Sequence, residues 1–118
     1  MMLRAAGLFL AVASALALAF GADPAGTWKM TAEGPDGNTY KFDLVIKSDE
    51  GKLTGTAGNP DLGSIELQDV AFKDGQLTFQ LFYEPAGIIT FKLKMEGSTL
   101  NGTLVTQDGD TGSVTGTR

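Results

Sequence analysis

Between residues 76 and 96 apolar and polar side chains take turns. Leu77, Phe79, Leu81 and Tyr83 lie on one arm and Ile89, Phe91, Leu93 and Met95 on the other, with Thr78, Gln80, Thr90, Lys92 and Lys94 between them. A period of two puts every second side chain on one face of a strand, whereas a helix would scatter the same residues around its circumference. From Thr27 onward this pattern recurs, interrupted by Gly and by Asp, Asn and Ser clusters at the roughly 8–12-residue spacing of short strands. It predicts an all-β chain with eight strands, at 26–32, 39–47, 52–57, 64–72, 76–84, 88–96, 99–107 and 111–118. The 118 residues leave room for a single domain.

The turns can be set against the alternation, because a one-residue slip would send a strand's apolar set to the wrong face. A Gly34–Asn38 loop pairs Met30 with Phe42 and Trp28 with Leu44. A Ser48–Gly51 loop pairs Ile46 with Leu53. Taking Pro85-Ala86-Gly87 as a three-residue loop sets Tyr83 against Ile89, Leu81 against Phe91, Phe79 against Leu93 and Leu77 against Met95. A two-residue Gly97-Ser98 turn sets Met95 against Leu100 and Phe91 against Leu104. An Asp108-Gly109-Asp110 loop sets Leu104 against Val114 and Leu100 against Arg118, turning the final residue inward. One hairpin allows two solutions: an Asp74-Gly75 turn brings Val70 and Phe72 inward and needs a bulge after Leu67, while a Lys73-Asp74-Gly75 loop brings Asp69 and Ala71 inward without one.

Eight antiparallel strands with short connections form an up-and-down meander, and pairing the first with the last removes both exposed edges. The expected product is an eight-stranded antiparallel up-and-down β-barrel over residues 23–118, bent at the inward glycines Gly55, Gly102 and Gly116. Its inward set is Trp28, Met30, Tyr40, Phe42, Leu44, Ile46, Leu53, Ile65, Leu67, Leu77, Phe79, Leu81, Tyr83, Ile89, Phe91, Leu93, Met95, Leu100, Leu104 and Val114. A barrel of this size is either filled by side chains or holds one small ligand.

Residues 1–22 read differently. Arg4 precedes an apolar run at 5–22, and Ala17-Leu18-Ala19 and Ala19-Phe20-Gly21 offer small-x-small cleavage sites, the layout of a secretory signal peptide. Retained, the same run would approach the length of an anchor. The expectation is an exported chain, periplasmic or secreted, with no membrane association after cleavage. It contains no Cys, so its stability rests on its core and not on disulfides.

Gly26-Thr27-Trp28 at the start of the first strand, with Arg118 at the end of the last, resembles the calycin signature of lipocalins, fatty-acid-binding proteins and avidins. The resemblance implies that Trp28 closes one end of the barrel and that Arg118 packs across its ring, a cation–π contact. Leu53-Thr54-Gly55-Thr56, Leu100-Asn101-Gly102-Thr103 and Val114-Thr115-Gly116-Thr117 likewise resemble strand endings of small exported bacterial barrels. The chain departs from these families in having no helical pair after the first strand, no C-terminal helix and a single Trp. The resemblance therefore carries architecture and no particular ligand.

Chemistry is bounded by absences. With no His and no Cys there is no imidazole- or thiolate-based nucleophilic site and no soft-ligand metal centre. The net charge of −5 lacks a basic cluster and disfavours nucleic acid. Asp43, Glu66, Glu84 and Glu96 fall on the outward face, leaving Asp69 as the acid with an inward option. Asp108 and Asp110 fall short of the six to eight oxygens that calcium needs. The reading is a non-enzymatic barrel without cofactor or metal. The end opposite Trp28 and Arg118, among the loops at Pro35, Pro60, Pro85 and Gly109, would bind a small apolar ligand through Tyr40, Tyr83, Leu62, Ile89 and Thr106. The alternative is a protein-binding barrel, such as a small inhibitor of secreted proteases, acting through outward Phe82, Ile88 and Val105.

Overall fold

The computed structural model describes residues 23–60, 63–84 and 86–118. The segment read as a signal peptide, Leu62 and Pro85 lie outside them. Nine strands follow one another: β1 (Gly26–Glu33), β2 (Thr39–Asp49), β3 (Lys52–Asn59), β4 (Gly63–Glu66), β5 (Gln68–Lys73), β6 (Gln76–Tyr83), β7 (Gly87–Glu96), β8 (Thr99–Val105) and β9 (Thr111–Thr117). They form one antiparallel sheet in the order β4-β3-β2-β1-β9-β8-β7-β6-β5. The first and last strands of that order are consecutive in the chain, so the sheet curls into an up-and-down barrel. As expected, β1 also pairs with the final strand, from Lys29 opposite Thr117 to Glu33 opposite Ser113.

The ninth strand is a correction to the expected eight. The segment 64–72 does not run straight: its first part pairs with β3 and its second with β6. Between them Leu67 donates its amide to the Gly55 carbonyl at 2.9 Å, and Asp69 takes a left-handed φ of 53° at a register shift. One extra residue at a bulge bends a strand in this way. The bulge also decides the open hairpin. Lys73 pairs with Gln76 across an Asp74-Gly75 turn, both turn residues having positive φ, and Val70 and Phe72 pack against the core. Asp69 is exposed, as is every other carboxylate on the strands except half-buried Asp43, which forms an ion pair with Lys29 on the outer surface at 3.0 Å.

Two hairpins adopt the register expected of them, Met30 opposite Phe42 and Met95 opposite Leu100. Three are shifted by two residues. Ile46 stands opposite Gly55 and not Leu53; Tyr83 opposite Gly87 and not Ile89; Leu104 opposite Gly112 and not Val114. A two-residue slip keeps every side chain on its face, so alternation cannot detect it. The observed registers set large side chains against inward glycines, as Leu100 against Gly116 and Leu93 against Gly102 also do. Inside a narrow barrel, large opposite small fills the lumen where large opposite large would crowd it. Gly102 has no room for more: a Cβ there would run into the Lys92 carbonyl oxygen.

The core comprises Trp28, Met30, Ala32, Leu44, Ile46, Ala57, Leu77, Phe79, Leu81, Phe91, Leu93, Leu100, Leu104 and Val114. All but Ala32 and Ala57 belong to the inward set expected from the alternation, and those two extend it by one step along β1 and β3.

Candidate functional site

The two ends of the barrel are built differently. At one, Trp28 is fully buried and its indole N–H donates to the Pro24 carbonyl at 2.9 Å. The Arg118 guanidinium lies 4.4 Å from the centre of the indole ring and donates to the Asp23 and Ala25 carbonyls at 2.9 and 2.8 Å. Arg118 is an exposed clasp over this end, its amide bonded to the Ser98 carbonyl, and does not point inward opposite Leu100. The shifted β8–β9 register gives Leu100 to Gly116 and leaves the final residue beyond the ladder.

At the other end the lumen is open as a cavity of about 630 Å³. Its floor follows from the strand order. β2 and β7 stand on opposite sides of the ring, yet Phe42 and Phe91, one from each, meet with ring centres 6.3 Å apart and planes at 71°. This edge-to-face pair spans the lumen, and Phe79, directly opposite Phe91 on the neighbouring strand, stacks on it at 4.7 Å. Above it, Ala32 and Ala57 line β1 and β3, and Leu81, Ile89 and Leu104 line β6, β7 and β8.

Tyr40, Tyr83, Ile89 and Thr106 line this cavity; Leu62 lies outside the described residues. Tyr40 keeps the inward side of its strand, opposite buried Ala32, but stands at the rim and not in the core, 42% exposed, and its hydroxyl donates to Asp36 Oδ2 at 2.7 Å. Asp36 also accepts from the backbone and side-chain amides of Asn38, each at 3.0 Å. The Tyr40 hydroxyl, and after it the Asn38 amide, hold the Asp36 carboxyl below its ordinary value, and the same bond raises Tyr40. Tyr83 is half-buried, and among the described residues its hydroxyl has no hydrogen-bond partner. The Thr106 hydroxyl accepts the Asp110 amide at 3.2 Å.

Sequence reasoning places Phe42 and Phe91 in the core without showing them as a floor, since nothing in an alternation tells which strands face each other across a ring. It misses Ala32 and Ala57 because alanine gives a weak apolar signal, although both continue the inward parity of their strands. Asp36 reads as a turn residue; the Asp-x-x-x-Tyr spacing across the loop is the signal that could have found its bond to Tyr40. The outer patch is small. Phe82 and Ile88 stand directly opposite each other, 52% and 43% exposed, Val105 is half-buried, and Val70 and Phe72 have turned inward. A second hollow, of about 610 Å³, lies against Lys29, Thr31, Lys41 and Thr115 on the outside of β1, β2 and β9.

Comparison with solved structures fits this geometry. The fold is that of designed β-barrels. A redesigned β-barrel aligns with a TM-score of 0.61 at 19% identity, over 80% of this chain and 90% of its own. Another, mFAP0, solved bound to DFHBI, aligns at 0.60 and 20% identity over 80% of this chain and 97% of its own. A fluorescence-activating β-barrel designed de novo aligns at 0.52 and 14% identity, over 80% of this chain and 92% of its own. No protein-family model and no curated protein matches the chain.

Proposed function

We propose that this chain is an exported, non-enzymatic, calycin-like barrel that binds one small, mainly apolar molecule in the cavity between Tyr40 and Tyr83. The observation that carries the reading is a hollow of about 630 Å³, floored by an aromatic pair and reached past two tyrosines, in a barrel whose other end is packed solid. Ligand pockets combine this size with apolar walls and a few polar groups. Support also comes from mFAP0, a barrel of like fold that holds DFHBI, and from the apolar leader ahead of the domain, which fits export. Among the described residues the carboxylates lie on the outside or at the rim.

The test is native mass spectrometry of the protein purified from its source, beside an Ala57→Trp variant that fills the cavity. A bound small molecule present on the natural protein and missing from the variant supports the reading. A mass equal to the bare chain, with another protein co-purifying, contradicts it and favours the alternative that Phe82 and Ile88 contact a partner protein.

A further inference from the structure

We infer that the molecule this cavity takes is an uncharged, planar aromatic compound bearing a hydrogen-bond acceptor, of the aryl ketone type; this rests on the cavity reading above and narrows it. The floor is the first reason. Phe42 and Phe91 at 71° present a ring face and a ring edge together, so a third ring settled on them finds either an offset-stacked or an edge-to-face contact. Phe79, stacked on Phe91 from the neighbouring strand, holds that ring in place. The side walls are the second reason. Ala32 and Ala57 carry almost no side chain on one part of the ring while Leu81 and Ile89 protrude from another, which leaves more room against β1 and β3 than against β6 and β7.

Polarity sets the rest. Tyr40 gives its proton to Asp36, so that hydroxyl is not available to donate to a ligand, and Asp36, which accepts three hydrogen bonds, stands at the exposed mouth and not in the interior. Inside, Tyr83 has a hydroxyl without a partner among the described residues, and Thr106, which accepts the Asp110 amide, keeps its own proton to give. Both hydroxyls have a proton to give and the Thr106 oxygen already accepts one, so an acceptor on the ligand is the group that both can bind. Among the described residues that line it no charged side chain lies in its interior, since Asp36 and Lys41 stand exposed at the mouth. A charge carried to the floor would be left unpaired in an apolar site.

Three probes titrated into the protein, followed by NMR of the lining methyls and rings, test this: 2-acetylnaphthalene, 2-ethylnaphthalene and 1-dodecanol. The ketone should bind roughly 2- to 10-fold more tightly than the hydrocarbon of the same shape, the advantage one hydrogen bond confers. Tyr83→Phe or Thr106→Val should erase that advantage, bringing the ketone and the hydrocarbon to equal affinity in the variant. Dodecanol binding more tightly than both naphthalenes, or a ketone preference that survives both substitutions, overturns the ligand class while leaving a ligand-binding barrel. If none of the three enters the cavity, the ligand reading falls and takes this inference with it.

Discussion

The Trp28 end and the Tyr83 end of this barrel are made from the same alternating strands, yet one is closed and the other hollow. At the closed end Trp28, Met30, Leu44, Leu77, Leu93 and Leu100 fill the lumen, and the indole N–H and the Arg118 guanidinium both bind backbone carbonyls. At the hollow end the inward positions on β1 and β3 are Ala32 and Ala57, and the Tyr83 hydroxyl has no partner among the described residues. Alternation selects which side chains face the lumen; their sizes decide whether the lumen closes. Stability should therefore be concentrated at one end and binding at the other.

The largest expected effect follows from removing the plug. Trp28→Ala should cost about 3–5 kcal/mol in urea unfolding. Ile89→Ala, in the half-buried cavity wall, should cost about 1–2 kcal/mol, because part of its surface already meets open space. Equal losses at the two positions would break the comparison. Gly102→Ala should cost about 1–3 kcal/mol, since its Cβ meets the Lys92 backbone oxygen, which cannot move without disturbing the ladder. Gly116→Ala meets the flexible Met30 side chain and should cost less. Arg118→Ala should lower stability by about 1–2 kcal/mol through the lost ring contact and two hydrogen bonds, and Arg118→Lys should restore less than half, lacking the planar fork.

The smallest effect sharpens the other end. Asp36 is lowered from 3.8 by the Tyr40 hydroxyl, so its contribution to the Gly34–Asn38 loop is present above that pH and fades as pH falls through the folded-state value. Tyr40 is raised from 10.0 by the same bond, so its contribution is full below that pH and fades as pH rises through the folded-state value. The Tyr40 ring resonances should shift on both flanks, and Asp36→Asn should abolish the acidic step. An Asp36 that titrates at its ordinary value in the intact protein would show that the rim bond does not form in solution.

Much of this was legible in the residues, for reasons that also mark the limit. Facing depends on parity, and parity is written in each strand, so nearly the whole inward set could be read directly. Register needs two strands at once. The Ser48–Gly51, Pro85–Gly87 and Asp108–Asp110 hairpins each admitted a second solution two residues away that preserved parity, and what separated the solutions was the fit of Ile46, Tyr83 and Leu104 against glycines. The bulge after Leu67 was one of two solutions open for the last hairpin before β6, because Val70 and Phe72 or Asp69 and Ala71 could each take the inward side, and the turn alone does not choose between them. Of the site, Tyr83, Ile89 and Thr106 could be placed at the hollow end from their strand positions, while the Phe42–Phe91 floor depends on closure of the ring and is invisible to any local pattern.

The most direct measurement of the account is a methyl and aromatic NMR titration of the natural domain with 2-acetylnaphthalene. Shifts confined to Ala32, Ala57, Leu81, Ile89 and the Phe42 and Phe91 rings, with Trp28 and Leu44 silent, are the predicted result. Shifts centred on Phe82 and Ile88 outside the barrel, or reaching the indole at the opposite end, would contradict it.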